Sequence, residues 1–157
     1  MNTLTPEWQL RLSVATHSSH ISSRLDLRRA ILLGESRPVA LLELSEDTAS
    51  FFMKAPDNNV LKFALTRRDI LVEGDAEFIL TDAFYRNLTG ITPEDAGVQI
   101  IAIGSTSFRH YLELARLLGN RVAALSDNDC DYQQSCVERF DDMTSPERRV
   151  YGDEDAS

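Results

Sequence analysis

The sequence predicts an α/β protein built on a parallel sheet, and three observations carry that reading. Short, largely apolar runs recur at residues 70–72, 98–103 and 122–125, the length of strands buried on both faces. Between them, residues 76–88 and 106–118 place apolar side chains at helical spacing. Glycine-bearing breaks at 90–97 and at Gly119-Asn120 separate the segments. Strands alternating with helices imply parallel pairing through right-handed crossovers.

Taken in order, residues 1–7 are a polar lead-in. Residues 9–15 alternate apolar and polar, a strand pattern, and end in Thr16-His17-Ser18. Runs at 29–33 and 38–44, joined by Gly34-Glu35-Ser36-Arg37, form a hairpin pattern. A helix at 46–54 stops before Pro56, and Asp57 or Asn58 can cap a second one ending at Leu65. Phe51, Phe52 and Met53 are core candidates. The arginines after Thr66 mark a junction, which divides the chain into residues 1–65 and 66–157. Helix 76–88 carries Phe78, Ile79, Ala83, Phe84 and Leu88 as its apolar set. Helix 106–118 carries Phe108, Tyr111, Leu112, Ala115 and Leu118 on one face. Beyond Asp129 the pattern is less regular, with a helical turn at 137–140 and an edge strand at 148–151.

The chemistry concentrates at two strand ends. Ile70-Leu71-Val72, preceded by the single acid Asp69, runs into Glu73-Gly74-Asp75-Ala76-Glu77; Val122-Ala123-Ala124-Leu125 runs into Ser126-Asp127-Asn128-Asp129. Ligand crevices of open α/β sheets lie at the carboxyl ends of the strands, so these acids should share one crevice. Gly74 allows a tight turn, Asp75 can cap the following helix, and Glu77 falls in its first turn, where the dipole favours an anion. Either acidic cluster alone is what ordinary helix capping produces. Both together, in order and each on a strand end, point to a metal site. Glu73, Glu77, Asp127 and Asp129, with no His or Cys among them, suit Mg²⁺ or Mn²⁺ rather than zinc.

Bulk composition bounds the function. At 157 residues and 43% apolar content the chain can build one good core. Its net charge of −9 is concentrated after residue 72, where seven basic residues face seventeen acidic ones. That argues against a basic DNA track, so DNA is expected to bind weakly. Cys130 and Cys136 fit neither a zinc spacing nor a disulfide framework. No signal-peptide pattern opens the chain and no apolar run reaches the ~20 residues of a membrane span, so a cytoplasmic protein without a membrane partner is expected.

The order Leu71-Val72-Glu73-Gly74, helix, strand, helix, Asp127-Asn128-Asp129 resembles the Toprim domain of primases, topoisomerases and certain nucleases. With Glu77 and the run Ile103-Gly104-Ser105-Thr106-Ser107-Phe108 it looks like the overcoming-lysogenisation-defect (OLD) family of ATP-dependent endonucleases, over roughly residues 9 to 155. That resemblance implies a Toprim-like parallel sheet with helices on both faces, incomplete at its C-terminus. Residues 1–65 would then be the closing strands and helices of an ABC-type ATPase. It implies metal-dependent hydrolysis of DNA phosphodiesters, with Glu73, Asp127 and Asp129 catalytic and Glu77 a further ligand. His17 would match the switch histidine of the ATPase, which by residue chemistry alone reads equally as a capping group.

The sequence also departs from the family. No phosphate-binding loop G-x-x-x-x-G-K-[ST] is present, the only lysines are Lys54 and Lys62, and serine follows Gly104 where many relatives have lysine. ATP is therefore expected as a cofactor only of a full-length relative. The distal lysine of the family also has no counterpart, so the chain resembles a truncated member. Two other readings accompany the endonuclease: an inactive remnant or interaction subunit, able to pair with a partner or form a homo-oligomer, and a primase- or topoisomerase-like Toprim module.

Overall fold

The computed structural model describes residues 26–33, 38–54, 59–127 and 131–153. Asp26 caps a 3₁₀ turn at Leu27–Arg29, accepting from the Arg28 backbone N–H at 3.0 Å. Two short strands, β1 (Ile31–Leu33) and β2 (Pro38–Ala40), pair antiparallel as the hairpin pattern predicts. Helices α1 (Glu46–Lys54) and α2 (Asn59–Leu65) follow. The chain then alternates: β3 (Arg68–Val72), α3 (Asp75–Thr89), β4 (Gln99–Ala102), a 3₁₀ turn running into α4 (Phe108–Leu118), and β5 (Arg121–Leu125). A π-helical turn at Gln133–Val137 and a 3₁₀ turn at Glu138–Phe140 lead to β6 (Arg148–Tyr151).

The four later strands form one sheet in the order β4-β3-β5-β6, every pair parallel. The fold is therefore α/β with a Toprim-like parallel sheet, as the alternation predicts. Side chains alternate across it. Leu71, Ile101, Val122 and Ala124 enter the main core, with Phe63, Phe108 and Leu112 above them. Val72 and Ile100, also buried, lie on the opposite face.

Tyr111 pins the layers together. Its ring meets Phe52 of α1 and Phe63 of α2 edge-on, each at 5.1 Å between centroids. Such pairs contribute ~0.5–1.5 kcal/mol each beyond their burial. The core thus runs unbroken from Leu41 and Leu44 through α4 to Phe140. A polar clamp reinforces the α1–α4 contact: the Glu113 carboxylate accepts from the Ser45 backbone N–H (2.7 Å), the Ser45 hydroxyl (2.8 Å) and the Thr48 hydroxyl. Since Thr48 spends its proton on Glu113, its lone pair faces His110 Nδ1 at 2.9 Å, and the neutral ring carries its proton there. Burial lowers the pKa of His110, against the opposing pull of Asp47 and Glu113.

Two core expectations are corrected. Met53 is 37% exposed and Phe51 is half-buried, stacked on His110 at 4.2 Å, so only Phe52 of that trio is core. Helix α3 buries none of its residues. Its sheet-facing side is formed by Phe78, Thr81, Asp82 and Tyr85, and the apolar residues Ile79, Phe84 and Leu88 stand in solvent. Helical spacing showed which residues share a side, but only one helix covers this face of the sheet, and nothing packs on its outer side among the described residues.

A candidate metal centre at the switch point of the sheet

The strand order decides where the site lies. From β3 the chain crosses to β4 on one side; from β5 it leaves to β6 on the other. The crevice between the carboxyl ends of β3 and β5 is thus the point where the winding reverses, the usual ligand position in such sheets. Glu73 ends β3 and Ser126-Asp127 ends β5.

The structure joins these two ends directly. Glu73 Oε1 accepts from Ser126 Oγ at 2.9 Å and from the Asp127 backbone N–H at 2.9 Å. The Leu71–Ala124 pairing, continued by two residues, sets Glu73 opposite Ser126. Glu73 is held from its other neighbour as well, its carbonyl accepting from the Gly104 N–H at 2.9 Å. Gly104, with φ of 76° and ψ of 145°, sits where only glycine is at ease, and this lets β4 turn away beside the site. On the far side the Ser126 N–H donates to the Tyr151 carbonyl at 2.8 Å, and Gly152 follows. A Cβ on Gly152 would stand 2.6 Å from Cys136 Sγ and 3.1 Å from the Ser126 carbonyl. The buried Cys136 therefore packs directly beneath the strand end that carries the site.

Two local expectations change. Asp75 does not cap α3; Gly74 occupies the N-cap position with no side-chain cap, and Asp75 is the first helical residue. Gly74 has an ordinary extended φ of −148°, so conformational freedom is not its role. It makes room: a Cβ there would stand 3.1 Å from Glu77 Oε2, whose carboxylate folds back toward the strand end.

Of the predicted set, then, Glu73 and Asp127 are brought together, and Glu77 is directed back over Gly74. Asp129 and His17 lie outside the described residues. Among the described residues no three His, Cys, Asp or Glu side chains converge as a preformed metal cage. The donor chemistry nonetheless suits a hard cation. The three ion pairs of the described residues, at Arg28–Asp26, Arg86–Asp82 and Arg109–Asp142, lie elsewhere. Glu73, Glu77 and Asp127 have no basic partner among those residues, and carboxylate oxygens are what Mg²⁺ and Mn²⁺ bind. Ser126 is a site residue that sequence reasoning passed over. The available signal was its register opposite Glu73 once the two strands are aligned as neighbours.

No helix of the described residues is long and apolar enough to cross a membrane. No curated protein and no solved structure matches the chain. Residues 65–129 match the family model of the TOPRIM domain of overcoming lysogenization defect protein-like proteins. That span holds β3 through β5 and all four acids, and over it the chain is similar to an OLD-like TOPRIM domain.

Proposed function

We propose that the chain is a Toprim-type endonuclease module that hydrolyses DNA phosphodiesters with Mg²⁺ or Mn²⁺ held by Glu73, Glu77, Asp127 and Asp129. The observation that carries this reading is the Glu73 carboxylate spanning the β3–β5 switch point to Ser126 and Asp127. The match over residues 65–129 supports it. A bound divalent ion would lower the pKa of the attacking water and offset charge on the phosphate.

The chain's own residues divide the remaining tasks. The Ser126 hydroxyl and the Asp127 N–H hold one oxygen of Glu73, fixing the rotamer and leaving the second oxygen for metal or for proton transfer. Glu77 and Asp127, exposed at the crevice mouth, close the donor set from α3 and β5. With a net charge of −9, DNA is held chiefly at this centre and weakly. The part up to residue 65 we take as the end of an ATPase-type domain, in a cytoplasmic protein.

Supercoiled-plasmid nicking in Mn²⁺ and low salt, with Glu73→Gln and Asp127→Asn run in parallel, tests this. Both variants should lose at least ~10²-fold, the scale of losing one charge-stabilising group. They should also lose the rise in melting temperature that Mn²⁺ gives the parent chain. A metal-linked shift without cutting would identify a binding subunit in place of a nuclease. Cutting that survives both substitutions would remove the site.

A further inference from the structure

The outer side of α3 is an exposed apolar surface that the metal centre does not use. Ile79 is 66% exposed, Leu80 56%, Phe84 60% and Leu88 82%, and Ala76 and Ala83 fill the gaps between them. At ~100° per residue these six positions occupy one side of the helix, with the polar Asn87 among them, opposite the half-buried Asp82 and Tyr85. Arg86, at its margin, is already paired with Asp82 at 2.7 Å.

We propose that this row is the dimerisation surface of the chain, and that α3 packs antiparallel on α3 of a second copy. Its size fits. Taking ~200 Å² for a fully open large side chain, the row leaves roughly 500 Å² of apolar surface in water. That is the upper end of what a monomer carries, ~300–600 Å². With the two alanines and a polar rim it approaches the ~800 Å² per partner of a standard interface.

Its order fits a two-fold axis as well. Reversing the helix about the point between Ala83 and Phe84 sets Ala83 against Phe84 of the second copy, Ile79 against Leu88, and Leu80 against Asn87. Small meets large at the centre, branched meets branched toward the ends, and one Asn87 side chain per helix lies against Leu80, so the patch is self-complementary with a single polar position on each copy. The two helix dipoles then oppose each other favourably. The proposal rests on α3 alone and is independent of the nuclease reading.

Sedimentation equilibrium of the intact chain over a range of concentrations should give a dimer. Phe84→Glu and Leu88→Glu should each give a monomer with an unchanged circular-dichroism spectrum, because neither side chain is part of the core. Ala83→Cys should form an intersubunit disulfide on mild oxidation, whereas Asp75→Cys, about a helix length from its copy in this arrangement, should not. A monomer at every concentration would overturn the proposal. So would a dimer indifferent to both glutamates, or one cross-linked by Asp75→Cys and not by Ala83→Cys.

Discussion

Asp69 is a buried acid far from the metal centre, and its titration should govern stability above pH 5. It lies on the core side of β3 at 2% exposure, accepting from the Thr66 hydroxyl and from Asn120 Nδ2 at 3.2 Å. Burial pushes its pKa from 3.8 up to about 7, and those two hydrogen bonds hold it from rising further. The folded state therefore binds this proton more tightly than the unfolded chain. The stability it contributes is complete below about pH 4 and is lost as pH rises through about 7. At ~1.4 kcal/mol per unit the ceiling is ~4 kcal/mol, and local relaxation and water access reduce it to ~2 kcal/mol. Asp69→Asn keeps the shape, accepts from Asn120 and can donate to Thr66. The variant should match the parent near pH 4 and exceed it by ~2 kcal/mol at pH 8, or ~4–8 °C in Tm for a chain of this size. Urea unfolding of both proteins from pH 4 to pH 8 measures the gap. Curves that stay parallel over that range would refute the argument.

The Glu113 clamp should show the opposite pH dependence. Burial alone would raise its pKa, but the Thr48 and Ser45 hydrogen bonds outweigh it and hold the carboxyl below its usual range. Its stabilisation is present at neutral pH and lost as pH falls, so Glu113→Gln should cost ~1–3 kcal/mol at pH 7 and progressively less toward pH 3, read by urea unfolding. Gly152→Ala should destabilise by ~1–3 kcal/mol, because the new methyl meets Cys136 Sγ at 2.6 Å. Adding Cys136→Ala should recover most of that loss in the same assay.

How much was legible in the sequence depended on whether the deciding interaction was local. The strands of the parallel sheet were, because apolar runs such as Leu71-Val72 and Val122-Ala123-Ala124 carry their own signature. Once they are neighbours, the meeting of Glu73 with Asp127 follows from the order of the chain. Ser126 was not legible, because its role depends on register, which a list of strands does not contain. Asp69 looked like a leading acid on an apolar run; it is buried, and one of its partners there, Asn120, lies 51 residues away.

Helix α3 marks the sharper limit. Its apolar residues carry the same spacing as those of α4, yet α4 buries Tyr111, Leu112 and Leu114 while α3 buries nothing. Periodicity states which side chains share a side of a helix, and burial depends on what lies across from that side. For α4 the answer is inside the described residues: β5 below it and α1 and α2 beside it, each bringing aromatic or branched side chains. For α3 the sheet takes up one flank and, among the described residues, nothing covers the larger apolar flank. A row of that composition costs solubility when left in water. A second copy related by a two-fold axis is a surface present wherever this chain is, at a concentration equal to its own. The free side of α3 is therefore best understood as half of a core whose other half is the same helix.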